Sequence, residues 1–335
     1  MKRAVLALLL AGCSGAGATA QAVTAEKVAP PVQVAAASIE TLAAPAPIPS
    51  ASFEGSSWAG FGVARCSYLA PASEFIAEDG AIDVVWHFHA GQMATADMKA
   101  SGLRAVFVSC GFGNGFGTGA YSSAFDDPSR FTSMMKSLTR TIGFKAKRDV
   151  HLGHLALASW SAGFAAVNRV LASEDWYEKT DAVLLFDSLH AQYIDLPEDA
   201  KLKTKPVAAR GASHVDVTML RRFIRFAADA AAGKKRMVIT HSSIVPPDYA
   251  STAEATAALL GEVGVDTATT GSTTNAGPFG LPSMVSSVVA DEGNLHVRGF
   301  RGIGPHDHFD HLHLIGDVVR SWIAPGWYSA VSERR

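Results

Sequence analysis

Two segments of this chain carry residues whose types and spacing can do covalent chemistry. Ser159-Trp160-Ser161-Ala162-Gly163 follows the apolar run 155–158 and leads straight into an amphipathic stretch. A serine on a sharp strand-to-helix turn has its hydroxyl pushed into the open, above a helix N-terminus. Its crowded backbone needs small neighbours two residues before and after, and together these are the conditions for an activated nucleophile. Taken without their flanks, Ser159 or Ser161 would serve equally as a helix cap. Much later, residues 304–313 spell Gly-Pro-His-Asp-His-Phe-Asp-His-Leu-His. They offer four imidazoles where a serine nucleophile needs one base. A helix expected over 312–323 places His308 in the loop before its first turn and His313 inside it, so His308 ranks first as the base, then His311, then His306.

The first segment resembles the G-x-S-x-G nucleophile elbow of α/β-hydrolases, with Ser159 standing where the first glycine would be. The resemblance implies acyl transfer by Ser161 through a triad in the order serine, acid, histidine. Two aspartates compete for the acid. Asp187 ends the apolar run 182–186, where a carboxylate is hard to explain without a partner. Asp248 lies in the Pro246-Pro247 turn, the commoner place for the acid in this fold, but one where Asp often only caps the helix that starts near Ser251. Asp187 is preferred and Asp248 is the alternative. For the oxyanion the N–H of Ala162 is one donor. The second is expected from His87-Phe88-His89-Ala90-Gly91-Gln92, similar to the His-Gly turn of hydrolases with Ala90 in the glycine's place, and from Gly91 or Gln92 within it. His87 and His89 read also as strand-end residues held only by packing.

The late cluster, H-x-H-x-D-H, also resembles the zinc motif of metallo-β-lactamases. That resemblance implies His306, His308, Asp310 and His311 as ligands of one or two zinc ions. No His or Cys follows His313, however, and Asp317 is the only later aspartate, so further ligands would have to come from upstream. The serine reading, which needs no cofactor, is therefore the principal one and a zinc hydrolase the alternative. A catalytically silent lipoprotein that binds a partner or glycan on its surface is the non-enzymatic alternative. The glycine-rich stretch 111–120 fits G-x-G-x-x-A over 115–120, but the next helix is expected only near Pro128 and no suitably placed acid follows. It reads instead as a mobile loop whose Phe112, Phe116 and Tyr121 line an acyl or aromatic pocket.

These residues need a scaffold. Apolar runs at 82–89, 103–109, 155–158, 182–186, 237–240 and 295–297 read as strands. Helical stretches at 94–101, 128–141, 162–172, 217–232, 251–263 and 312–323 alternate with them. Continuous apolar strands separated by helices predict a mostly parallel sheet covered on both faces, a three-layer α/β/α sandwich of α/β-hydrolase type. Ligands then sit at the carboxyl ends of the strands.

The N-terminus adds an address. Lys2 and Arg3, an apolar run 4–10 and small residues before Cys13 match a secretory signal. Leu10-Ala11-Gly12-Cys13 resembles the lipobox of bacterial lipoproteins, which implies a signal over 1–12, cleavage before Cys13 and its acylation. Ser14, not Asp, resembles the outer-membrane sorting pattern, on either face of that membrane. Residues 14–50 hold 12 alanines and 5 prolines but three charges, so 13–51 reads as an extended disordered tether and 52–335 as one catalytic domain. Cys66 and Cys110 remain, in an exported compartment, either as a disulfide or as two buried thiols. With 29 basic and 31 acidic residues, net −2, there is no cationic excess to attract nucleic acid. The partners expected are a small or acylated substrate and, through the lipid, a membrane.

Overall fold

The computed structural model describes residues 50–113, 117–195, 209–269, 281 and 283–328. The signal segment, Cys13, nearly all of the tether and Phe116 lie outside the described residues. Among the described residues nine strands form one sheet: β1 (Cys66–Leu69), β2 (Ala81–Phe88), β3 (Val106–Cys110), β4 (His151–Trp160), β5 (Ala182–Phe186), β6 (Arg236–His241), β7 (Ala268–Thr269), β8 (Ser286–Glu292) and β9 (Leu295–Phe300). Their order is β1-β3-β2-β4-β5-β6-β9-β8-β7. From β3 to β9 every neighbouring pair is parallel, while β1, β8 and β7 join antiparallel at the edges. The three-layer α/β sandwich expected from the alternating runs is the architecture found, and it fits an α/β-hydrolase-like fold.

Burial explains the apolar runs. Among the described residues the α-helices are α1 (Thr95–Ala100), α2 (Gly119–Ser123), α3 (Arg130–Ala146), α4 (Phe164–Val170), α5 (Glu174–Lys179), α6 (Arg221–Ala231), α7 (Thr252–Val263), α8 (Pro305–Leu312), α9 (Ile315–Val318) and α10 (Ala324–Tyr328). On one face of the sheet Leu138, Val167, Phe223 and Leu259, from α3, α4, α6 and α7, pack on Trp86, Leu157 and Leu185. On the other, Met98 of α1 and Leu312, Ile315 and Trp327 near the C-terminus pack on Val85, Ala158 and Leu184. A strand between two such layers must be apolar on both sides, so its sequence lacks alternation. Among the described residues no helix is long and apolar enough to cross a membrane.

The structure corrects several expectations. The histidine cluster is helical: α8 begins at Pro305, so His308 lies inside the helix and His313 just beyond its last residue, the reverse of the expected placement. Proline at the first helical position is pre-set for the helix, and Asp307 two residues later accepts the Gly304 N–H at 2.7 Å. A helix begins at Gly119, at the end of the glycine-rich stretch and well before Pro128. Phe112 and Tyr121 pack on each other, and Phe112 also on Phe88 and Phe125. They fill core space beside β2 and do not line the cavity described below.

Cys66 and Cys110 face each other across the antiparallel β1 and β3 and form a disulfide, with Cα atoms 4.2 Å apart. The bond closes a loop of 44 residues that contains β2. In the chain-entropy account such a loop stabilises the fold by about 4 kcal/mol. Denaturant unfolding of the Cys66→Ala, Cys110→Ala double variant is expected to show about 3–4 kcal/mol less stability, and a difference below about 1 kcal/mol would show that the crosslink constrains little.

Candidate active site

In-register parallel pairing places the functional loops side by side. Phe88 pairs with Ser159, Trp160 with Phe186, and Phe186 with Thr240, so β2, β4, β5 and β6 end at one level. The residues that leave those ends are His89 and Ala90, Ser161, Asp187 and Ser242. His89, Ala90, Ser161 and Asp187 all have positive φ, at 73°, 58°, 51° and 44°. Non-glycine residues adopt this region at a cost of order 1–3 kcal/mol, and such strain gathers at functional sites.

The local sequence explains how Ser161 is held. A Cβ on Gly163 would lie 2.3 Å from the carbonyl oxygen of Phe88, so the last position of the elbow must be glycine for α4 to approach β2. At Ser159, where the hydrolase pattern has glycine, the side chain is fully buried and its hydroxyl lies 2.8 Å from that of Ser188. Ser188 in turn donates to the Ser161 carbonyl at 2.8 Å. The departure is thus satisfied by a hydroxyl chain that fastens the elbow to the turn after β5. The N–H of Ala162 is among the first of a helical run and has no carbonyl a turn earlier to bond.

Asp187 and His308 meet here. His308 Nδ1 is 2.7 Å from Asp187 Oδ2. The other carboxylate oxygen accepts the Ser242 N–H at 2.9 Å and the Thr252 hydroxyl. Thr252 is the first residue of α7, whose start is fixed by a capping box between Ser251 and Glu254, so Ser251 and not Asp248 caps this helix. Burial would raise the Asp187 carboxyl; the imidazoles of His311 and His308 and the donors from His308 and Ser242 override it and hold it well below the usual carboxylate range. His311 is itself pushed down to about 4 by burial. Near neutrality it is uncharged, and the hydrogen-bond donors carry the effect. Asp187 is 2% exposed and ionised, so these donors are obligatory.

Ser161, Asp187 and His308 line one cavity of about 310 Å³, walled also by Ile244, Pro246 and Tyr249. No hydrogen bond between Ser161 and His308 is among those of the described residues. With Nδ1 on Asp187, the His308 nitrogen left to act is Nε2. Trp160, the variable residue of the elbow, carries no signal in the sequence. Its indole N–H donates to the His308 carbonyl at 2.8 Å, and its ring lies 4.5 Å from the His308 ring. Ser242, Thr252 and His190 were likewise unmarked.

The other candidates lie elsewhere. Asp248 is not among the residues lining the cavity. His306 is exposed. His311 is fully buried behind Asp187, its Nδ1 2.8 Å from the Thr240 hydroxyl. Asp310 accepts from Ser283 at 3.1 Å and His313 pairs with Asp97 at 2.7 Å. The zinc ligand set is thereby taken apart: among the described residues no three His, Cys, Asp or Glu side chains converge on a metal position. Gly91 is buried in the turn after β2, and a Cβ there would meet His87 Nδ1 and Ser109 Oγ, each at 2.9 Å. The Gln92 side chain turns away to Ser67 Oγ at 2.6 Å. His87 is wholly buried and stacked on Phe186, in keeping with a packing role, and His89 stacks on Trp160 with Nδ1 2.5 Å from the Tyr121 hydroxyl.

No family model matches the sequence, and no curated protein is significantly similar to it. Among solved structures, a thermostable esterase is 9% identical over 83% of this chain with a TM-score of 0.42, and this chain spans 63% of it, less than two thirds of its length. An α/β hydrolase from the metagenome of Lake Arreo, Spain, is 13% identical, covering 87% of this chain and 85% of its own, with a TM-score of 0.42. The enterobactin esterase of Shigella flexneri is 10% identical, covering 85% and 62%, with a TM-score of 0.43.

The buried imidazoles predict acid sensitivity. Burial lowers His87 to about 3 and His311 to about 4, against 6.5 for an exposed ring. Their stabilising contribution is complete above the unfolded value and is lost as the pH falls from about 6.5 towards 4, because only the unfolded chain then takes up the proton. Each ring adds about 1.4 kcal/mol per pH unit to the slope of stability in that window. His87→Phe is expected to flatten the slope by about one proton, measured by denaturant unfolding at pH 6.5, 5.5 and 4.5; an unchanged slope would show that His87 is protonated in the folded protein.

Proposed function

We propose that this protein is a serine hydrolase that cleaves carboxylic esters or related acyl substrates through an acyl-enzyme, exported and held at the outer membrane by a lipid on Cys13. The observation that carries the catalytic reading is the 2.7 Å contact between His308 Nδ1 and the buried Asp187, in a cavity that Ser161 enters from a strained strand-to-helix turn. In this mechanism Ser161 Oγ bonds to the substrate carbonyl carbon while its proton passes to His308 Nε2. Asp187 holds the ring in the tautomer that leaves Nε2 basic and stabilises the imidazolium that forms. The Ala162 and Gly91 N–H groups receive the oxyanion. As the tetrahedral species collapses, the bond to the leaving alkoxide breaks and His308 returns the proton to it. Water then attacks the acyl-enzyme with His308 again as base, releasing the acid and restoring the Ser161 hydroxyl. Trp160 holds His308 from its backbone and its face.

The lipobox supports the anchored placement, and the Cys66–Cys110 disulfide is the kind of bond that persists in an oxidising, exported compartment. A fluorophosphonate is expected to label the wild-type protein and not Ser161→Ala, which also loses hydrolysis of a p-nitrophenyl ester by at least about 10³-fold. Asp187→Asn is expected to lower kcat by about 10³–10⁴-fold and Asp248→Asn by less than about twofold. Equal labelling of wild type and Ser161→Ala removes the serine mechanism, and a reversed order of the two aspartates removes Asp187 from it.

A further inference from the structure

The cavity that holds Ser161 and His308 has two polar wall side chains with no part in the mechanism, Tyr249 and His190. His190 lines it, three residues after Asp187 in the same turn. Its ring lies edge-on to Tyr249 at 5.5 Å and against Phe164 at 5.2 Å. Nδ1 is buried and has no hydrogen-bond partner among the described residues. Ile244, Pro246, Ile303 and Pro305 make up the apolar part of the walls. A buried polar group left unpaired costs about 1–3 kcal/mol, and such a group beside a reaction centre calls for a partner that arrives with the substrate.

Resting on the ester-hydrolase reading above, we propose that His190 is a specificity residue that receives a hydroxyl group of the substrate within this cavity, so the preferred substrates are small hydroxylated esters and not plain alkyl esters. Burial pushes the ring down to about 4. At neutral pH it is therefore an uncharged imidazole with one N–H to give and one lone pair to accept, which complements a hydroxyl in either direction. A cation suited to a carboxylate or phosphate is not on offer there. At about 310 Å³ the cavity lies at the small end of ligand pockets, which limits the enclosed part of the ester to a short chain. The walls of Ile244, Pro246 and Pro305 pack the carbon skeleton, and His190 reads the oxygen it carries.

The test compares kcat/KM for two matched pairs on the full protein. One pair is p-nitrophenyl butanoate against p-nitrophenyl 3-hydroxybutanoate, with the hydroxyl on the acyl half. The other is propyl butanoate against 2-hydroxypropyl butanoate, with the hydroxyl on the alcohol half. Wild type is expected to favour the hydroxylated member of at least one pair by about tenfold, the worth of one good hydrogen bond. In His190→Phe that ratio is expected to fall to near one, and in His190→Gln, which keeps a donor and an acceptor, to remain above it. His190→Leu, smaller than the ring it replaces, supplies the same comparison where the Phe variant does not fold. A wild-type ratio near one in both pairs, or a preference that survives in the Phe or Leu variant, overturns the proposal while leaving the hydrolase reading intact. No turnover of any of the four esters, together with no fluorophosphonate labelling, overturns both.

Discussion

The structure around the site depends on one buried carboxylate and the need to keep it charged. Asp187 ends a wholly buried strand and is itself 2% exposed. A carboxylate taken out of water and left with a missing partner costs about 3–5 kcal/mol, so its donors must all arrive. They come from three further pieces of chain: the Ser242 N–H after β6, the Thr252 hydroxyl at the head of α7, and the His308 ring on α8. The geometry of the candidate site and the closure of this half of the sheet are therefore one event. A change that displaced α7 or α8 would strand the charge.

The second constraint is backbone strain, and the sequence around it shows how it is borne. Ser161 sits at φ 51° because the chain must turn from β4 into a helix within a residue or two. Gly163 permits the close pass under β2. Ser188 donates to the Ser161 carbonyl, so the proton between Ser159 and Ser188 belongs to Ser159. That chain ties the Ser161 peptide to the turn that carries Asp187. Serine at 159 thus adds a link between the Ser161 and Asp187 loops, where a glycine would supply only room.

The legible parts of the sequence were those where burial leaves a strong local mark. β2, β4, β5 and β6 stood out because strands covered on both faces are continuously apolar. Ser161 stood out because small residues flank it at a strand end, and Asp187 because a carboxylate after such a strand calls for partners. What stayed hidden was set by contacts far apart in the chain. Trp160 meets His308 across 148 residues and Thr252 meets Asp187 across 65, and neither leaves a trace in local composition. The edge strands β1 and β8 are short or partly exposed, so their apolar content is weak. Phe112 and Tyr121 were misjudged because an aromatic after a glycine-rich stretch looks the same whether it lines a pocket or fills a core.

The late histidines show why secondary structure had to be known before their chemistry could be. In an extended segment, residues at i and i+2 lie on one face, and His306 and His308 with Asp310 would make a row of donors for a metal. In a helix the same spacing turns through about 200°, and the row is dispersed. Pro305 at the first helical position and Asp307 back-bonded to Gly304 select the helix. One turn then sends His306 to solvent, His308 to Asp187, and His311 inward to Thr240. Buried and uncharged at neutral pH, His311 fills space behind Asp187 without offering a positive charge to compete for it. The cap at the head of one short helix thus separates a metal-binding row from a single histidine held on a carboxylate, although the residues that spell the two are the same.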